Sequence, residues 1–322
     1  MRPLLIIILL YFNSGSYAQS FFKKYTVDTS RTERKYNIHL LEGNLYSTTY
    51  HLSGEGLDPY SELVIDQLDI NNGDMISRIK FPRENSFTNY KSVVSNNSIL
   101  GIGWQSNPGG FSAKNVGVYK ISEDKEIQFF IEIGDSTRRE IPRDITFCDT
   151  GEIVVGSSRL FESGASYTAK AVVTKTSSEG DFIWEYIDDI PTARTEMRSV
   201  ITDDADNIFV LSTQDGIQDS VRLTKLTPEG TKLWTRTYQE GFQSKAQQIL
   251  NLQNGNILVT GYAFYDKYGG ASSNFYMEID TSGNPIWIND YKPYIGGVAY
   301  ESEIKILEDG RIARVYDGYG YP

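Results

Sequence analysis

One cysteine, Cys148, stands in 322 residues, so no internal disulfide staples this chain and its fold must rest on a hydrophobic core. Histidine is nearly as scarce. His39 and His51 are the only two, and a histidine metal cluster or a Ser-His-Asp triad would need one of them. Neither lies near a nucleophile motif, and no G-x-S-x-G occurs. Both read as structural, and Cys148, in the apolar run Ile145–Cys148, reads as a buried inert thiol. Positive charge is in deficit as well: 31 Lys and Arg face 42 Asp and Glu, a net charge of −11. That balance disfavours nucleic acid and anionic membrane as partners. Beyond the N-terminus no run is apolar and long enough to cross a bilayer. Helical periodicity is confined to a mild trace in Pro191–Val200.

What is present is a leader and a repeat. Arg2 precedes the apolar run Leu4–Phe12, and Ser16-Tyr17-Ala18 supplies small residues before Gln19. This pattern predicts a secretory signal peptide over residues 1–18 and export of the remainder. No Cys stands at the cleavage point, so no lipid anchor is expected. Loss of the leader removes Arg2 and no acid, which takes the net charge from −11 to −12.

The repeat is clearest between Gln247 and Tyr291. Ile249–Leu252 meets Ile257–Tyr262 across Asn254-Gly255-Asn256, and Phe275–Ile279 meets Ile286–Ile288 across Ser282-Gly283-Asn284. Short apolar and β-branched runs broken by Asn-Gly or Ser-Gly predict hairpins. The first hairpin recurs at Gly43, Asn97, Gly151, Asp206, Gly255 and Gly310, with spacings of 54, 54, 55, 49 and 55 residues. The second recurs at Gly73, Asp124, Gly180, Gly230 and Gly283, and three copies place a Trp four residues on: Trp184, Trp234 and Trp287. Four strands per period near 50 residues predict an all-β β-propeller of about six four-stranded blades, one domain over 19–322. No unit can bury both faces of its sheet alone, so the Trp set reads as packing between blades. Phe21–Tyr25 has the spacing of an outer strand and is expected to close the last blade. That blade is one strand short in this count and reads as incomplete.

The stretches LTKLTPEGTKLWTRTY (223–238) and MEIDTSGNPIWINDY (277–291) resemble the PQQ-like and delta-60 propeller repeats of secreted proteins from Bacteroidota-type bacteria. The resemblance implies the propeller fold over about residues 36–316. In the quinoprotein blade motif the Asp-to-Gly interval is one residue longer than Asp280 to Gly283, and a vicinal cysteine pair attends the quinone. With one Cys in the chain, the motif here reads as blade scaffold and no cofactor is expected.

Candidate sites are few. Asp203-Asp204-Ala205-Asp206-Asn207 offers hard oxygen ligands of the kind Ca²⁺ takes. It lacks the spaced D-x-D-x-D-G form and coincides with a hairpin turn, where Asp and Asn are at home. Charged runs lead into three inner strands: Arg31 to Arg34, Arg138-Arg139-Glu140 with Arg143, and Arg194-Thr195-Glu196 with Arg198. Lys35, Arg143 and Arg198 each stand eight residues before a hairpin marker. On an acidic protein, a basic rim of Arg34, Lys35, Arg139, Arg143, Arg194 and Arg198 could take a carboxylate, a sulfate or an acidic glycan. The alternative is a set of Arg–Glu pairs that joins neighbouring blades. Loops rich in Gly and aromatics, with Trp104, Tyr265 and Tyr268, suit a sugar or peptide. No catalytic residue and no metal site is assigned. The sequence is read as a secreted, monomeric binding scaffold for a glycan, a peptide or a cell-surface protein. The alternatives are a lyase or hydrolase with an axial Arg/Tyr/carboxylate site, or an architectural module of a larger secreted protein.

Overall fold

The computed structural model describes residues 8–9, 20–21, 32–41, 44–53, 60–72, 74–80, 86–95, 98–106, 114–122, 124, 126–134, 137–163, 166–188, 190, 193–216, 218–264, 272–291, 304–306 and 312–314. The chain divides into two compact units, residues 1–133 and 134–322. Among the described residues every regular element is a β-strand.

In the first unit, β1 (Ile8–Leu9) pairs with β2 (Ser20–Phe21). One four-stranded blade follows from β3 (Thr32–Leu41), β4 (Asn44–Ser53), β5 (Tyr60–Leu68) and β6 (Met75–Lys80). A second is built from β7 (Ser86–Ser95), β8 (Ser98–Ser106), β9 (Lys114–Ser122) and β10 (Ile127–Ile133). The second unit holds three more: β11 (Glu140–Phe147) to β14 (Phe182–Ile187) through β12 (Ile153–Ser163) and β13 (Ser166–Thr176); β15 (Arg194–Thr202) to β18 (Lys232–Tyr238) through β16 (Ile208–Asp215) and β17 (Ser220–Leu226); and β19 (Gln243–Asn251) to β22 (Pro285–Tyr291) through β20 (Ile257–Phe264) and β21 (Ser272–Ile279). A two-stranded sheet, β23 (Ile304–Ile306) with β24 (Ile312–Arg314), stands where the sixth repeat begins.

Each blade is an up-and-down antiparallel sheet, strands hydrogen-bonded in chain order. Within a unit, first strand packs on first strand: β3 on β7, β11 on β15, β15 on β19, β19 on β23. Four-stranded sheets stacked through their first strands make a β-propeller. The strand from Phe21 to Tyr25 lies outside the described residues beyond Phe21, which pairs with Ile8.

The cores show why no blade stands alone. One cluster joins Leu41, Leu63 and Ile65 of the first blade to Phe87, Ile99 and Tyr119 of the second. Another joins Val154 and Val173 of the third blade to Met197, Val200 and Val210 of the fourth, and Cys148, just past β11, lies within it. A further cluster joins Phe209 and Leu223 of the fourth to Ile249, Phe275 and Met277 of the fifth. Trp184 and Trp234 pack at the margins of the latter two clusters, which is the structural role their repetition predicted.

The turns keep their own polar groups. Asp203 Oδ1 accepts from the backbone N–H of Ala205 and Asn207 at 3.0 and 2.8 Å, while Lys225 Nζ lies 3.2 Å from Oδ2. Asp206, at φ 57°, turns its carboxylate to the backbone N–H of Asp149 in the previous blade, 2.6 Å away. Asp203 and Asp206 of the acidic run are thus engaged in turn and inter-blade bonding.

Candidate functional site

In all five four-stranded blades the first strand carries one residue that its partner does not match. The unmatched residues are Tyr36, Tyr90, Arg143, Arg198 and Gln247. A bulge at a repeated register re-aims one side chain per blade and is a designed feature, not a defect. Counting back from the turns places Lys35 at this position, but the bulge falls on Tyr36. The reason is turn length: Leu41 pairs with Asn44, two residues intervening, whereas Phe147 pairs with Ile153, five intervening. Lys35 itself pairs with Thr49 and Arg34 with Tyr50, and their side chains lie outside the described residues.

In the second unit the bulged residues of adjacent blades meet over one carboxylate. Arg198 Nη2 donates to Glu196 Oε2 at 2.7 Å, and Arg143 Nη2, from the neighbouring blade, stands 3.9 Å from the same oxygen. Arg194 donates to Glu196 Oε1 and reaches Asp215 Oδ2 with its Nε at 3.3 Å. Arg198 Nε is 3.4 Å from Thr213 Oγ1. Burial pushes the Glu196 carboxyl up, but Arg198, Arg194 and Arg143 outweigh it and hold the group below the usual carboxylate range. Asp215 goes the other way: burial, with Glu196 and Asp219 nearby, raises it. Lys245 faces Asp219 at 3.4 Å. Arg143 Nε is buried and has no hydrogen-bond partner among the described residues.

The other expected site residues are placed apart from this cluster or beyond the described residues. Arg139 is exposed in the approach to β11, where its carbonyl accepts from Leu160 N–H at 2.8 Å. Trp104 is not in a loop. It pairs with Thr88 and Val116 inside β8, and its ring centroid lies 6.4 Å from that of Tyr90. Tyr265 and Tyr268 lie outside the described residues. His39 Nε2 and Ser92 Oγ share a hydrogen bond at 2.7 Å, and the His51 side chain is not among those described.

One charged group was misplaced by reading the runs as a single rim. Glu140 is fully buried in the third blade, where it accepts from Ser157 Oγ at 2.9 Å and from Arg159 Nε. Arg159, 4% exposed, also forks onto Glu185. The signal was available: Glu140 opens β11, and Ser157 and Arg159 alternate along β12 on the face that meets it.

The fold and this arginine cluster define the class as a β-propeller with a polar site on its first strands. No family model matches the chain, and neither does any curated protein. A solved structure of a protein of unknown function from Dyadobacter fermentans is similar in fold, with TM-score 0.52 at 10% identity over 88% of this chain and 84% of that one. The Synechocystis apocarotenoid oxygenase structure aligns with TM-score 0.47 at 10% identity over 85% of this chain, which spans 62% of the oxygenase. A chimera of that oxygenase with RPE65 aligns with TM-score 0.46 at 12% identity over 80% of this chain and 60% of the chimera.

Proposed function

We propose that the protein is an exported, non-enzymatic binding scaffold that engages an acidic partner, a glycan or peptide bearing carboxylates or sulfates, through the arginines of its first strands. The observation that supports this is the clustering of Arg143, Arg194 and Arg198 around the single carboxylate of Glu196, an excess of positive charge in a chain of net charge −11. Guanidinium forks match planar carboxylates and sulfates, and a half-buried site strengthens the pairing. Rigid strands hold these side chains better than loops would.

The test is a screen of residues 19–322 against arrayed uronate and sulfated glycans and acidic peptides, repeated with Arg143→Ala/Arg198→Ala. A partner lost in the double variant, with the variant still folded, supports the reading. Retained capture with a lowered melting temperature would make the cluster a joint between blades, the role that the Arg143–Glu196 contact across the blade boundary favours as the second reading.

A further inference from the structure

We propose that Glu196 is a resident competitor for the ligand. Its carboxylate occupies the fork of Arg143 and Arg198, and an external carboxylate or sulfate binds by taking that fork from it. This rests on the reading above that the arginines receive an acidic partner, and adds to it a built-in gate.

The argument begins with a shortage of acceptors. Each guanidinium carries five N–H donors and no acceptor. Three of them share the two oxygens of Glu196, supplemented by Thr213 Oγ1 and Asp215 Oδ2. Arg198 and Arg194 take the close contacts. Arg143 is left with an ion pair at 3.9 Å, beyond hydrogen-bond reach, and a buried Nε without a partner among the described residues. Its side chain is only 17% exposed, so open water does not make good the deficit. A buried donor left unmade calls for an explanation, and a transient acidic occupant supplies one.

The grip on Glu196 is divided in a way that permits exchange. Oε1 belongs to Arg194, which Asp215 also holds, whereas Oε2 serves Arg198 and, at longer range, Arg143. Turning the carboxylate away from Oε2's partners leaves its bond to Arg194 intact. The two bulged arginines are then free to close on an incoming anion, and Glu196 is not stranded as an unpaired charge. Every charged group recorded around the site enters this balance: Arg143, Arg194, Arg198 and Lys245 against Glu196, Asp215 and Asp219.

The proposal is tested by calorimetric titration of residues 19–322 with sodium sulfate and with malonate. The wild type is compared with Glu196→Gln, Glu196→Asp and Arg143→Ala. Removing one negative charge about 4 Å from the anion is expected to tighten binding about tenfold or more in Glu196→Gln. Glu196→Asp, shorter by one methylene, keeps the charge and guards against a folding defect in the Gln variant; it should bind with intermediate affinity. Arg143→Ala should not bind. Equal affinity in the wild type and both Glu196 variants would overturn the gate while leaving the anion site standing. Absence of binding in all of them would overturn the anion site and the gate with it.

Discussion

The indole N–H of Trp184 donates to the carbonyl of Pro228 in the next blade, 3.0 Å away, and Lys175 Nζ reaches the same carbonyl at 3.1 Å. The ring then lies against the turn that this carbonyl opens. A Cβ on Gly230 would sit 2.8 Å from it. One blade later Trp234 meets Gly283 in the same way, at 3.0 Å, and Tyr238 Oη donates to the Gly283 carbonyl at 2.7 Å. Trp184 and Trp234 are therefore inter-blade latches, each kept by the glycine of the following turn.

Two separate demands meet at that glycine, and they can be told apart. Gly230 and Gly255 both have positive φ, +83° and +79°, but only Gly230 is crowded; nothing lies within 4 Å of a Cβ on Gly255. Gly255→Ala should cost about 1–2 kcal/mol for the left-handed backbone alone. Gly230→Ala should cost about 2–5 kcal/mol, because overpacking adds about 1–3 kcal/mol. Urea unfolding of the two variants decides the point, and equal midpoints would mean that the latch carries no strain.

The ion pairs that Arg159 makes with buried Glu140 and exposed Glu185 give a second expectation. Glu140 is fully buried and Arg159 nearly so, so Arg159→Met takes from a buried carboxylate the arginine that donates to it. Removing one partner of such a pair costs about 3–5 kcal/mol. The double variant Glu140→Gln/Arg159→Met should recover part of that loss, since no buried charge is then stranded. A double variant no more stable than Arg159→Met would show that Glu140 does not depend on the arginine.

How much of this was open to a reader of the sequence depends on the range of the interaction. Strands and turns follow from local alternation and from Gly, Asn and Asp at positions that need φ > 0, so the blade period and the inter-blade place of Trp184 and Trp234 were legible. Even Asp206 marks its turn correctly, because Asp tolerates the left-handed region. The bulge was not legible to a single residue: turns of two and of five residues put Lys35 where Tyr36 stands. Arg–Glu pairs joining blades were legible as an alternative, but not that Glu196 would be the shared partner, since Arg143 reaches it from another blade. The run Arg138-Arg139-Glu140 reads as one charged rim, yet its members part on folding. Arg138 lies over the Phe161 ring at 4.7 Å, Arg139 is exposed and Glu140 is buried.

Acid should act on the arginine cluster with a definite sign. The folded Glu196 carboxyl is held below its ordinary range against the upward push of burial. The ionised group therefore stabilises the fold at pH values above its unfolded pKa of about 4.3, and that stabilisation disappears as pH falls through the lower folded value. The gap in unfolding free energy between wild type and Glu196→Gln should be constant from pH 7 to about pH 5, and should close on further acidification. A gap that stays constant to pH 3 would contradict the ion pairing described for this residue.

Cys148 offers a probe of the whole inter-blade core. It sits just past β11, 2% exposed, among Val154, Met197 and Val200. Burial raises its thiol to about 12, against the opposing pull of Lys175, with Asp206 and Glu152 adding to the rise. The thiolate is the reactive form, so the native protein should resist a disulfide reagent at pH 8, while the urea-unfolded chain reacts at once. Its labelling rate should then track the opening of the third and fourth blades, and Gly230→Ala, which disturbs the latch between those same blades, should speed it. The Gly255→Ala turn lies in the fifth blade and leaves that boundary intact, so its effect on labelling should be smaller than its effect on global stability. Labelling of Cys148 that is fast in the native protein, or indifferent to both variants, would show that the cysteine is reached without parting the blades.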